Sequence, residues 1–202
     1  MAEFLSMLAG QARALSALEV VAVIAAIAYL LLAIRENIWC WLFAGVSTAI
    51  YVYLFIDARL YMESVLNGFY FVMAIYGWYS WHYGRSGTHA LAVCRWPLRI
   101  HTVAIVAVLA LSATTGYLLQ RYSDAAFPYI DSLTTWGAIW ATFLVARKVL
   151  ENWWYWLLID AASIFIYWSR GLELTALLFV IYVIMIPFGL YRWSRSWREQ
   201  TL

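Results

Sequence analysis

The chain has 202 residues, of which 66% are hydrophobic and only 12% charged, against about 25% charged in an average soluble domain. A water-soluble fold of this size cannot hide so much apolar surface, and a net charge of +2 does not mark a nucleic-acid binder. Two cysteines, Cys40 and Cys94, exclude a disulfide scaffold or a cysteine metal site within one chain.

Apolar runs near 20 residues long, enough to cross a hydrocarbon core of about 30 Å, follow one another along the sequence. They are continuous rather than alternating, as in VVAVIAAIAYLLLAI and TVAIVAVLALSATTGYLL, which points to helices and excludes barrel strands. The expected fold is all-α and integral to the membrane. Its seven transmembrane helices run Ala17 to Ile34, Asn37 to Phe55, Leu60 to Trp81, Thr102 to Gln120, Ile130 to Leu150, Asn152 to Trp168 and Leu172 to Tyr191. Met1 to Val20 lacks a basic start and a small-residue cleavage site, so no removable signal peptide is expected. Residues 1–16 read as a lead-in or, over Phe4 to Leu15, as a short amphipathic helix on the membrane surface.

Seven spans put the termini on opposite sides. Arg13, Arg59, Arg121 and Arg170 flank one side, whereas Arg35, Arg85, Arg95, Arg99, Arg147, Lys148, Arg192, Arg195 and Arg198 flank the other. The positive-inside rule therefore expects a cytoplasmic carboxyl terminus and an external amino terminus.

The chain repeats internally. Glu36, Asn37, Trp39, Trp41 and Leu42 recur as Glu151, Asn152, Trp154, Trp156 and Leu157, both times where a second helix begins, and YGWYSW ending the third helix has a partner in FGLYRW ending the seventh. The expected organisation is a first three-helix bundle at 17–82, a loop and linker helix at 83–126, a second bundle at 127–193 and a cytoplasmic tail at 194–202. An odd linker returns the second bundle in the same orientation, giving a 3+1+3 arrangement of parallel repeats around a transport pathway.

The two EN-x-W-x-W segments, the run LYMESVLNGFYFVMAIYGWYSW, the FPYIDS segment at Phe127 to Ser132 and ARKVLENWWYW together resemble the Pnu family of bacterial vitamin transporters, best known for its nicotinamide riboside transporters. The resemblance covers Leu18 to Trp193. It implies a fold related in logic to the SWEET sugar transporters, assembly as a trimer in the inner membrane, no cofactor, and facilitated diffusion of a small vitamin trapped by cytoplasmic phosphorylation. Two polar positions depart from the riboside pattern: Asn67 stands where Gln is expected, and Asp160 where the enteric riboside transporters carry Asn. Nicotinamide riboside and thiamine both stay open as substrates.

An ionisable residue inside a membrane helix costs about 2.5 to 3.5 kcal/mol on insertion scales and is a functional candidate by default. Asp160 is the foremost one. Asn152, Trp156 and Asp160 share a helix face at i, i+4 and i+8, with Trp153 close by. Such a stripe suits a flat cationic ring, because indole faces attract cations by roughly 0.5 to 2 kcal/mol; nicotinamide riboside carries a pyridinium and thiamine a thiazolium. The competing reading makes Asp160 an interhelical hydrogen-bonding group. In the first bundle the motif alignment supplies Asn37 and Trp41 and matches Asp160 to Gly45. On the third helix Asn67, between Glu63 and Tyr70, is an intramembrane amide that either contacts substrate or bonds a neighbouring helix.

Glu63, Glu36, Glu151 and Asp131 lie at helix starts and read as caps or dipole partners, with Asp131 and Thr135 also marking a polar face. Trp81, Trp168, Trp193 and Trp197 lie at span ends and are assigned to the aromatic belt; Trp136 and Trp140 fit a pathway or a lipid face equally. Catalysis is not expected. His82, His89 and His101 sit in or beside the central loop, with no paired histidines at depth, and no phosphate-binding loop occurs. A retinal photoreceptor would need a lysine in the last span, yet the only lysine is Lys148. A proton-coupled transporter, with Asp160 or Glu63 titrating, is the rival to passive diffusion.

Overall fold

The computed structural model describes residues 17–57, 61–84, 91–123, 127–169 and 173–201. The stretch Phe4 to Leu15, residues Arg13, Arg59, Arg85, His89 and Arg170, and the side chain of Glu63 lie outside the described residues. Among the described residues the chain forms seven helices: α1 (Ala17–Ile34), α2 (Cys40–Asp57), α3 (Tyr61–Tyr83), α4 (Leu98–Tyr122), α5 (Pro128–Ala146), α6 (Asn152–Ser169) and α7 (Glu173–Thr201). By length and composition, α1, α2, α4 and the Thr175–Gln200 part of α7 are long and apolar enough to cross a membrane. Every helix turns large apolar side chains outward, among them Ile24, Val46, Val72, Val106, Leu133, Leu158 and Phe188. In water that surface would be costly at about 25 cal/mol per Å²; against lipid it costs nothing.

Three helix ends differ from expectation, each for a local reason. Pro97, which cannot donate a backbone hydrogen bond, stands as the residue before α4 and starts it earlier than Thr102. The last helix continues past Tyr191 to Thr201, its exposed end carrying an Arg195–Glu199 pair one turn apart at 2.7 Å. α5 stops at Ala146 because Lys148 takes a left-handed conformation, φ 50°. Its N–H bonds Val145 O at 2.9 Å while the next N–H, of Val149, bonds Leu144 O at 2.9 Å, a Schellman end.

Packing divides the chain into two compact units, Met1–Ala92 with Tyr191–Leu202, and Val93–Leu190. In the first, α1 packs on α2 and α2 on α3. Ser47 donates its hydroxyl to Ala22 O at 2.9 Å and Ser64 to Val52 O at 3.2 Å, bonds that hold helices together where apolar burial offers no drive. Gly77 lets the indole of Trp41 lie directly on α3, where any Cβ would overlap the ring. Trp81 meets Trp41 edge-on at 5.5 Å and Trp193 at 6.1 Å, and Trp193 Nε1 donates to Ala33 O at 3.0 Å. Trp81 and Trp193 are therefore buried packing residues and not members of an aromatic belt. Trp168 is exposed at the end of α6, as a belt residue is.

In the second unit α4 packs on α5 and α5 on α6. Ser112 donates to Ser132 O at 3.3 Å, and Trp136 Nε1 donates to Thr115 Oγ1 at 3.2 Å, so Trp136 serves the α4–α5 contact. Gly189 receives the indole of Trp153 as Gly77 receives that of Trp41.

The shared features recur at one spacing of 112 residues (41 to 153, 77 to 189, and 36 to 148 for the left-handed residues, Glu36 having φ 54°). The EN-x-W-x-W motif recurs at 115 (37 to 152). The two turns are built alike, three residues (37–39 and 149–151) separating the left-handed residue from the first residue of the next helix, Cys40 or Asn152, so the motif copies sit three positions apart on equivalent backbone. On a helix three residues amount to about 4.5 Å and a rotation of some 60°, so the counterpart of Trp153 is Trp41, that of Asn152 is Cys40, and that of Asp160 is Thr48 instead of Gly45.

Because no Cβ fits at the two indole contacts, Gly77→Val and Gly189→Val should each lower stability by about 1–3 kcal/mol through overpacking. Gly68→Ala, at a position with no neighbouring atom within 4 Å of a Cβ, should leave the melting temperature in detergent close to that of the unmodified protein.

Candidate substrate site

The site is built from the turn that leads into α6. Cys94 pairs with this turn in the manner of a parallel bridge: its N–H donates to Lys148 O at 3.0 Å, and Leu150 N–H donates to Cys94 O at 2.8 Å. Glu151 accepts from Arg95 Nε at 2.8 Å and from the Trp96 N–H at 3.3 Å. It therefore ties the loop before α4 to the start of α6 and does not cap its own helix. His101, buried on α4, lies 2.9 Å from the Tyr155 hydroxyl through Nδ1 and 3.8 Å from Glu151 through Nε2. Trp140 stacks into the same corner, 6.0 Å from Trp96 and 6.5 Å from Tyr155. This cluster was not legible in the sequence, where Arg95 stands 56 residues from Glu151 and His101 stands 54 from Tyr155.

From that anchored start α6 presents one polar face. Asn152 is fully buried, its Nδ2 donating to Val149 O at 2.7 Å, while its Oδ1 has no hydrogen-bond partner among the described residues. Trp156 is half-buried one turn on. Asp160, at mid-helix, is 5% exposed and has neither an ion-pair nor a hydrogen-bond partner among the described residues. Ser163 continues the buried face. Leaving a buried acceptor unmet costs about 1–3 kcal/mol, and an unpaired buried carboxylate costs several. Both costs fall on one face of a helix otherwise held by close packing. Gly137 brings α5 close to α6 at Ile159, beside Asp160.

The other expected site residues fall differently. Trp153 is buried against Gly189, off the polar face, and Trp41 against Gly77; both act through packing. Asn37 is exposed in the turn before α2, its Oδ1 accepting the Trp39 N–H at 3.0 Å. Asn67 and Tyr70 are half-buried on α3. Asp131 lies in the first turn of α5, whose start at Phe127 has no side-chain cap. Gly45 lines an apolar groove of about 390 Å³ with Trp41, Phe71, Ala74 and Trp78, in which no lining residue is charged.

Seven helices, four of them long and apolar enough to cross a membrane, with a buried carboxyl on α6 that has no partner among the described residues, fit a multi-pass membrane transporter. The chain belongs to the nicotinamide mononucleotide transporter family, which matches residues 16–195. It is 28% identical to the nicotinamide riboside transporter PnuC of Escherichia coli (strain K12), over 92% of this chain and 88% of that one. It is 26% identical to the riboflavin/roseoflavin transporter RibM of Streptomyces davaonensis, over 84% and 81%. Its fold matches the crystal structure of the vitamin B3 transporter PnuC with a TM-score of 0.74 and 21% identity, covering 96% of this chain and 90% of that one. The Pnu resemblance read from the motifs is thereby confirmed.

The Cys94 thiol reports on the loop anchor. Its pKa is raised, first by burial and then by the negative charge of Glu151, with Arg147 and a hydrogen bond with Trp96 opposing. Less thiolate is present at neutral pH than in free cysteine, so maleimide labelling of Cys94 should require more alkaline conditions. Glu151→Gln should speed labelling at a given pH, with fully buried Cys40 silent throughout; rates measured across pH on purified protein check both outcomes.

Proposed function

We propose that this protein carries nicotinamide riboside across a bacterial inner membrane by facilitated diffusion, all seven helices spanning the bilayer and the carboxyl terminus lying in the cytoplasm. The observation that carries the reading is Asp160: a buried carboxyl without a partner among the described residues, on one face with the indole of Trp156 and the open acceptor of Asn152. A pyridinium fits that face, its charge meeting the carboxylate and its ring an indole. The identity to a transporter named for nicotinamide riboside supports the same substrate. The machinery needs no energy source if cytoplasmic phosphorylation removes the arriving riboside and keeps the inward gradient.

Thiamine is the second reading, favoured by the carboxylate at 160, which serves a thiazolium as well as a pyridinium. Riboflavin, the substrate in the name of the second relative, is uncharged and gains no charge pairing from Asp160. Calorimetric titration of the purified protein with all three ranks them: the tightest binding to nicotinamide riboside supports the proposal, and the tightest to riboflavin overturns the cation reading.

Asp160→Asn should weaken binding of nicotinamide riboside by about tenfold or more, equivalent to about 1.4 kcal/mol, and leave a neutral analogue within about twofold. Equal losses for both would remove the charge from the argument. In proteoliposomes, uptake should stop at equal concentrations on the two sides with or without a pH gradient; accumulation driven by the gradient would establish proton coupling instead.

A further inference from the structure

The apolar groove of the first unit lies between α2 and α3, along Trp41, Gly45 and Ala49 on one helix and Phe71, Ala74 and Trp78 on the other. Small residues face each other across it, a Cβ built on Gly45 lying 3.9 Å from that of Ala74. Leu42, Val46 and Ile75 stand exposed along its edges, so it opens onto the apolar outer surface of the two helices. From residue 41 to 49 a helix rises about 12 Å, and about 390 Å³ spread over that length leaves a width of roughly 6 Å. A helix with its side chains is about 10–12 Å across and does not enter, whereas one extended hydrocarbon chain does. The depth fits as well. α2 begins at Cys40 and α3 ends at Tyr83, so the groove starts near one membrane face and stops short of the middle of a core about 30 Å thick. That is the reach of an acyl chain from a single leaflet.

At the membrane-face end of the groove Trp39 meets Trp78 edge-on at 5.4 Å, with Trp39 53% exposed, a placing typical of indoles at headgroup level. Of the two charges in the turn before Trp39, Arg35 is exposed and Glu36 half-buried. We propose that the groove is a phospholipid site, with one acyl chain lying along Gly45 and Ala49 and the phosphate meeting Arg35. Lipid tails give apolar side chains no hydrophobic drive. The preference over bulk lipid therefore comes from dispersion contact with the rings of Trp41, Phe71 and Trp78 and from attraction between phosphate and guanidinium. The inference rests on the reading of α2 and α3 as crossing the bilayer, and not on which vitamin is carried.

The test places the full chain in vesicles of phosphatidylethanolamine and phosphatidylglycerol, with a trace of phosphatidylglycerol that carries a photoreactive group on one acyl chain, and maps the labelled peptides. Labelling of α4, where Val103 and Val106 are exposed, measures ordinary contact with lipid. Label on residues 41–49 and 71–78 should exceed that on α4 by about threefold or more. Gly45→Leu and Ala49→Leu, which fill the groove at two levels, should each bring it down to the α4 level, and Arg35→Gln should lower it by about twofold to fivefold. In detergent, added phosphatidylglycerol should raise the melting temperature of the unmodified protein more than that of Gly45→Leu. Label on the two segments that only equals that on α4, or that both leucine variants leave unchanged, overturns the proposal while the membrane-spanning reading stands. Unchanged labelling in Gly45→Leu together with an altered oligomeric state by light scattering makes the groove an interface between copies and also overturns it. If α4 is labelled and neither α2 nor α3 takes any label, the two helices do not cross the bilayer and both readings fall.

Discussion

Hydrocarbon gives apolar side chains no reason to leave it, so helices in a membrane are held by close van der Waals contact and by the hydrogen bonds they share. In this protein the contact that organises each unit is an indole laid on a glycine, Trp41 on Gly77 and Trp153 on Gly189. The absence of a Cβ lets the large flat ring approach the opposing backbone, and a flat ring makes many contacts at once. Each contact fixes the start of a second helix and thereby the direction in which its polar residues point.

Around those contacts the polar groups are used in two ways. Most are satisfied locally. Ser47, Ser64, Ser112 and Trp193 each donate to a carbonyl of another helix, and Glu151 gathers Arg95 and the Trp96 N–H at the entry of α6. Among the described residues, the Asn152 oxygen at the head of that same helix and the Asp160 carboxyl at its centre have no hydrogen-bond partner. A helix anchored at its start, as α6 is by Glu151, can tolerate that cost.

The internal repeat shows how sequence similarity and structural equivalence part company. EN-x-W-x-W draws the eye because Trp and Asn are rare and distinctive, yet its copies do different work. Asn37 accepts the Trp39 N–H in an exposed turn, whereas Asn152 is buried and donates to Val149 O. The glycines, the buried indoles and the left-handed residues obey a register displaced by nearly one helical turn, set by contacts between helices that lie far apart along the chain.

The seven helices and the membrane as their solvent were legible from the apolar runs alone, because hydropathy and length are properties of single segments. Family membership was legible too, carried by motifs that survive without any knowledge of packing. Asp160 could be singled out for the same reason, since a charge in an apolar run stands out wherever it points. Tertiary structure alone decided which aromatic residues face inward. Trp81 and Trp193 sit at span ends, as belt residues do, and only the neighbours supplied by other helices show them to be buried. It also decided the partners of Glu151 and His101 and the counterpart of Asp160, because the two motif copies lie three residues apart on equivalent backbone, an offset that residue identity does not reveal.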